Sequence, residues 1–295
     1  MFKRVGLFLL TNIAVIALLS LVFLVLENVF WIKLTGYSYL LVFAAAIWFG
    51  WAFISLQMSK WIAKKSYNLS IIQQEQVDGL SKKEQAVWFT VLELAERNHI
   101  TMPEVAIYPD SEPNAFATGP SKNKSLVAVS TGLLETMDVD AIEWVVWHEM
   151  AHILNGDMVT MTLLQWVVNT FVIFIARVVA NIISNFLDED LWWLAHMWIV
   201  IVLEIIFGLF ASIIVMAFSR HREFKADAGS AKFLWKEKMI AWLEALKKMQ
   251  AMTSWDKSKL ATMKISTKNK WGIMKLFSSH PNLQDRIDAL KNSNI

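Results

Sequence analysis

The sequence predicts a mainly α-helical membrane protein that carries a small antiparallel β-sheet, with four transmembrane helices and one soluble domain. Apolar residues fill 56% of the 295 positions and the mean hydropathy is positive, which is more than a soluble core requires. Four apolar stretches, 5–26, 37–58, 158–183 and 191–218, each reach the roughly 20 residues needed to cross a hydrocarbon layer of about 30 Å. The remaining segments show helical and strand periodicity broken by turn residues. The chain therefore divides into an N-terminal transmembrane hairpin (1–60), the first part of a soluble domain (61–157), a second hairpin (158–218) and the second part of that domain (219–295).

The opening Met1-Phe2-Lys3-Arg4 and the apolar run behind it read as a retained anchor. Twenty-two apolar residues are long for a signal sequence, and Val25-Leu26-Glu27-Asn28 offers no small-residue cleavage site. Basic residues near span ends set orientation, because the inner side of a membrane retains them. Lys3 and Arg4 precede the first span, Lys60, Lys64 and Lys65 follow the second, and Arg220, Arg222 and Lys225 follow the fourth. The opposite loops hold Glu27 with Lys33, and the acidic run Asp188-Glu189-Asp190. This pattern predicts both termini and the stretch 61–157 in the cytoplasm. Trp31, Trp48, Trp51, Trp61, Trp166, Trp192, Trp193 and Trp198 sit mostly near span ends, as an aromatic belt does.

Within the soluble part, Ser81-Lys82-Lys83-Glu84 has the form of a capping box and opens an amphipathic helix to about Asn98. Short runs at 105–108, 115–118 and 126–130, separated by Pro, Gly, Asp and Asn, read as an antiparallel sheet. A second capping box, Asp140-Ala141-Ile142-Glu143, starts a helix that runs through His152 and stops near Asn155-Gly156. Helices follow around 226–250 and 283–291, with the polar stretch 253–270 between them read as a mobile loop.

Cysteine is absent, so a transition metal could be held only by His, Asp or Glu, and no disulfide framework exists. A net charge of +2 with evenly spread Lys and Arg gives no phosphate-binding footprint and excludes a nucleic-acid partner.

The chemistry is concentrated in His148-Glu149-Met150-Ala151-His152. Four residues make about one helical turn, so the two imidazoles project from one face and can share a single zinc ion. Glu149, beside the first ligand, is then placed to take a proton from a water that zinc has acidified. Buried without a partner on a helix otherwise built from Trp144, Val145, Val146, Trp147, Ile153 and Leu154, such polar groups would cost stability. A metal supplies the partner.

A catalytic zinc needs a third protein ligand and an open fourth position. Met158 stands where a metzincin would have its third histidine. Glu223 is the better candidate, and Asp227, one turn further on, is placed to brace an imidazole. The long gap between His152 and Glu223 is a membrane hairpin. His152 lies six residues before the third span and Glu223 five after the fourth, which predicts a site one to two turns above the membrane surface. A closed structural zinc site would need a fourth ligand, for which His221 and Asp227 are the available groups. An intramembrane site is disfavoured by the polar Asp140, Glu143, Asn155 and Asp157 around the motif.

These residues, with Asn155-Gly156-Asp157, the later Glu223-Phe224-Lys225-Ala226-Asp227, and Ser279-His280-Pro281 with Arg286, closely resemble the HtpX family of bacterial heat-shock membrane peptidases. The resemblance covers essentially the whole chain. It implies a cytoplasmic, gluzincin-like zinc peptidase domain on four spans. It further implies zinc held by His148, His152 and Glu223, with Glu149 as general base. The activity implied is that of an endopeptidase in inner-membrane quality control and stress response, cleaving misfolded membrane proteins without ATP. His280 resembles a histidine that the wider clan, CAAX prenyl proteases included, places near the scissile carbonyl, where it would donate a hydrogen bond to the oxyanion. Arg286 is then a scaffold that orients acidic groups.

Two further features complete the reading. Asn114, Ala115, Phe116 and Ala117, behind Pro113, form a strand of mostly small residues suited to a sheet edge, where a substrate could add as an extra strand. Arg177 and Glu204 are charges placed deep in the third and fourth spans, and Glu204 is expected to be protonated or to reach toward Arg177.

Overall fold

The computed structural model describes residues 36–184, 186, 192–234, 236–237, 239–244, 246–247, 278 and 280–293. The predicted first span (5–26), the acidic run 188–190 and the polar stretch 253–270 lie outside the described residues. In chain order the elements are α1 (Gly36–Tyr67), β1 (Ser70–Ile71), a 3-10 turn (Gln74–Gly79), α2 (Lys82–Arg97), β2 (Glu104–Tyr108), β3 (Ala115–Thr118), β4 (Leu126–Ser130), α3 (Thr131–Thr136), α4 (Val139–Asn155), α5 (Asp157–Ser184), α6 (Trp192–Leu234) and α7 (Leu283–Lys291). The chain separates into two units, Met1–Ser55 with Met161–Val215, and Leu56–Thr160 with Met216–Ile295.

In the first unit the described chain consists of apolar helix. Tyr39–Tyr67, Asp157–Ser184 and Leu194–Ala231 are three helices long and apolar enough to cross a membrane. Small residues let backbones approach: Ala44, Ala176, Ala180 and Ala211 are buried, and the Trp166 indole donates to the Ala45 carbonyl at 2.8 Å. Phe53, Phe171, Ile205 and Phe210 point outward, as a lipid-facing surface requires. Arg177 and Glu204 meet in an ion pair, Nη1 to Oε1, at 2.6 Å.

The second unit is built on a four-stranded sheet of order β1-β2-β4-β3. The sheet is mixed, not antiparallel: β2 and β4 run parallel in the register Glu104 with Leu126 through Tyr108 with Ser130, whereas β1–β2 and β3–β4 are antiparallel. Burial explains the order. Every residue of Leu126-Val127-Ala128-Val129-Ser130 is buried, a demand only a central strand can meet, while Ala115–Thr118 is half-buried throughout and suits an edge. The chain therefore carries β3 outward and returns β4 into the middle. One face of the sheet packs Val105, Val127 and Val129 against Val87, Val91 and Leu94 of α2 and Ile142, Val146 and Met150 of α4. The other face carries Ala106, Tyr108, Leu126 and Ala128, with Phe116 packed beside them.

Caps fix where the helices begin. Ser81 caps α2, and the Glu84 carboxylate returns the bond to the Ser81 N–H at 2.8 Å, as the sequence pattern requires. For α4 the expected start at Asp140 is two residues late. Asp138 is the cap, its carboxylate accepting from the Ala141 N–H at 2.8 Å, so Asp140 falls in the first turn. Gly156 ends the helix at φ 71°, a left-handed conformation that glycine adopts without a Cβ penalty. No break separates the fourth predicted span from the helix expected after it: α6 is continuous from Trp192 to Leu234 and carries Glu223 and Asp227 within it.

Gly132, at the start of α3, is held for a different reason. A Cβ built there would overlap the Ser111 carbonyl oxygen, and the Gly132 N–H donates to Asp110 at 2.8 Å, so the backbones cannot separate freely. Replacing Gly132 by Ala is expected to destabilise the protein by about 1–3 kcal/mol, read as a lower thermal unfolding midpoint at unchanged helix content.

Candidate metal centre

Helix α4 presents His148 and His152 one turn apart. Their rings meet edge to face at a centroid distance of 4.7 Å, and their Nε2 atoms are 3.2 Å apart. From α6, Glu223 closes on the same point, with Oε2 3.4 Å from His148 Nε2 and Oε1 3.4 Å from His152 Nε2. All three side chains are buried, Glu223 to 1% exposure. Residues on either side of a predicted membrane hairpin are thus brought to one place.

The outer ring nitrogens face carboxylates. His152 Nδ1 lies 2.6 Å from Asp157 Oδ2. His148 Nδ1 lies 3.1 Å from Asp227 Oδ1, though off the line of a good hydrogen bond. Asp227 is gripped by Arg286 of α7, whose Nε and Nη2 donate to its two oxygens at 2.7 and 2.6 Å. Arg286 is held there because Leu283, Ile287 and Leu290 of α7 pack with Trp144 of α4 and with Met239 and Leu243. His280 is largely exposed, and its Nδ1 stands 3.0 Å from Glu223 Oε2.

Glu149 is partly buried, close enough to feel the charges of His148, His152 and Glu223, and it also approaches the β3 edge strand. The backbone N–H of Ala117 lies near enough to its carboxylate to favour the charged form. The β3–β4 register explains why that donor is available. Ser130 N–H bonds the Asn114 carbonyl, so the hydrogen-bonded pairs fall at Asn114 and Phe116, and the backbone groups of Ala115 and Ala117 face the open edge. Phe116 lies on the opposite face, its ring 5.1 Å from Tyr67 and 5.6 Å from Tyr108. Ala115 and Ala117 thus lie on the face of the sheet that packs toward α4, and Phe116 on the other.

Burial disfavours charge on the His148 imidazole, but its bonds to Asp227 and Glu223 outweigh this and hold it at about 9. His152 is also raised: burial lowers it, and Asp157 and Glu223 more than compensate. Burial pushes the Glu149 carboxyl up, against the pull of the two histidines. The centre is built to hold positive charge.

The donor chemistry agrees. A carboxylate can only accept, so each Nδ1 facing one carries a proton, and a ring that gives up its second proton presents the lone pair at Nε2. Two such lone pairs and a carboxylate aimed at one point repel one another until a cation lies among them. His148, His152 and Glu223 are, among the described residues, the group whose ligand atoms all lie within 4.8 Å of one another and could hold a metal ion. His221 is exposed and Asp227 is engaged by Arg286, so neither supplies the fourth ligand of a closed site.

Asp157 is the group that reading for ligands missed. On a continued helix a residue five positions after His152 would sit about 140° around the axis. The left-handed Gly156 turns the chain back, and the Asn155-Gly156 pair was the available signal.

A carboxylate beside a His-His-Glu cluster able to hold a metal ion, on a chain with helices long and apolar enough to cross a membrane, fits a membrane-bound metalloprotease. The Peptidase family M48 pattern matches residues 81–294, and the chain belongs to that family. Over nearly its whole length it is similar to proteins named Protease HtpX, as the motifs implied. It is 49% identical to that of Tolumonas auensis, over 98% of this chain and 99% of the relative. It is 48% identical to that of Aeromonas hydrophila, over the same shares. A Protease HtpX homolog of Bacillus licheniformis is 45% identical over 98% of this chain and 99% of its own. Among solved structures, the crystal structure of S. mikatae Ste24p shares the fold with a TM-score of 0.61 at 17% identity, covering 98% of this chain and 66% of that one.

Proposed function

We propose that the metal is a single zinc ion per chain, and that the protein is a zinc endopeptidase cleaving misfolded or damaged membrane proteins in bacterial inner-membrane quality control. One observation carries the zinc assignment. Two imidazole Nε2 atoms 3.2 Å apart, each 3.4 Å from a different oxygen of the Glu223 carboxylate, form a buried N, N, O donor set of the kind that would hold zinc. With these three side chains as its protein ligands, a bound ion would remain accessible to water or substrate. The basic flanks of the spans support four spans with both termini and the catalytic domain in the cytoplasm.

When bound, the ion supplies Lewis acidity that acidifies water and polarises the scissile carbonyl. The chain's own groups do the rest. His148, His152 and Glu223 hold the ion, Asp227 braces His148, and Arg286 fixes Asp227. Glu149, its carboxyl raised by burial, takes the proton of the attacking water on a carboxylate oxygen and returns it to the leaving amine. The Ala117 N–H borders that carboxylate. The outward backbone groups of Ala115 and the carbonyl of Ala117 lie where an extended peptide can add to β3, a contact that reads backbone and gives broad specificity. His280, exposed beside Glu223, donates to the oxyanion.

Treating the detergent-purified protein with a zinc chelator is expected to abolish cleavage of casein or a membrane-protein substrate. About one equivalent of zinc per chain restores it. Cleavage undiminished after metal analysis shows the protein zinc-free would overturn the assignment.

A further inference from the structure

The two imidazoles at the centre are held differently. The carboxylate facing His148 comes from another helix, is itself clamped by Arg286, and lies off the line of the Nδ1–H bond. The carboxylate facing His152 comes from the same stretch of chain, lies at 2.6 Å, and is buried to 5% exposure. It arrives there through a single residue, Gly156 at φ 71°, ψ 30°, which ends α4 and lets α5 begin at once with Asp157.

We propose that Asp157 is a positioning residue for His152: by accepting a hydrogen bond from Nδ1–H across the Gly156 turn it fixes the ring's tautomer and orientation, and so sets the affinity of the centre for its metal. This rests on the reading of His148, His152 and Glu223 as ligands. The physical need is specific. A neutral imidazole has two tautomers, and only the one protonated at Nδ1 offers Nε2 to an ion. A ring free to rotate also loses the alignment of Nε2 with His148 and Glu223. Partners of this kind typically change metal affinity or activity by about 10–100-fold. Asp157 stands in the first turn of α5, where a carboxylate also complements the helix dipole, so its position is favourable before any metal arrives.

The test uses the full chain in detergent, with Zn2+ affinity measured by competition against a chromophoric chelator and the visible spectrum of the Co2+-loaded protein as a second readout. Asp157→Ala is expected to weaken zinc binding about 10–100-fold and to shift the cobalt bands, with kcat reduced and KM nearly unchanged. Asp157→Asn, isosteric and still able to accept through its amide oxygen, should fall between that variant and the parent, which separates loss of the brace from loss of the fold. In a His152→Ala background, adding Asp157→Ala should weaken zinc binding no further, because the residue it positions is gone.

Parental affinity and an unchanged cobalt spectrum in Asp157→Ala would overturn the inference while leaving the ligand assignment standing. An equal fold-loss in the presence and absence of His152 would also overturn it, by showing that Asp157 acts through the fold at large. A parent protein that binds no zinc would remove the ligand assignment, and the inference with it.

Discussion

Glu149→Gln is expected to keep the metal and the fold while lowering the rate of peptide hydrolysis by about 10²–10⁴-fold, the range for loss of a positioned general base. The substitution is nearly isosteric. Its amide oxygen can still face the Ala117 N–H beside the native carboxylate, and β3 and α4 keep their contact through apolar packing. What the amide cannot do is take a proton. Glu149 is not among the three groups whose ligand atoms converge, so zinc content should stay at the parental value. The measurement is kcat/KM on a fluorogenic peptide or casein, paired with metal analysis and a thermal melt of the same preparation. A variant that cleaves at the parental rate would remove Glu149 from the mechanism, and a variant that loses zinc would make it a structural support of the centre instead.

Much of the site was legible because its parts repeat at the helical period. His148 with His152, and Glu223 with Asp227, are each four residues apart, and the sequence alone puts each pair on one face. The caps at Ser81 and Gly156 were legible for a similar reason: both are local devices that satisfy backbone groups at a helix end. The sheet order was not. Alternating strand runs with short turns look like hairpins, but the fully buried β4 needs neighbours on both sides, and only the assembled core shows that β2 provides one of them in parallel. The two-residue β1 is too short to carry periodicity. The continuity of α6 was hidden by a change in polarity. Ser219-Arg220-His221-Arg222 ends the apolar run without a Gly or Pro to end the helix, so the span stops and the helix does not. That continuity is functional in consequence, since Glu223 and Asp227 inherit the rigidity of a long helix instead of the looseness of a linker.

Replacing Glu223 by Gln should separate binding from chemistry in the opposite sense to Glu149→Gln. Neutralising the third ligand removes the one negative charge that touches both imidazoles, at 3.4 Å from each Nε2. The expected result is loss of stoichiometric zinc and a fall in activity of at least about 10²-fold, since even groups behind the ligands change affinity by about 10–100-fold. A readout independent of activity follows from mass action. A ligand at 100 times its Kd stabilises the native state by about 2.7 kcal/mol, so zinc should raise the melting temperature of the parent and of Glu149→Gln but not of Glu223→Gln. The variant should still fold without metal, because Arg286 keeps its bidentate bond to Asp227 and the packing of α7 on Trp144 does not involve residue 223. A full zinc-dependent rise in the melting temperature of Glu223→Gln would show that the ion is held elsewhere, and the peptidase mechanism built on these two helices would have to be abandoned.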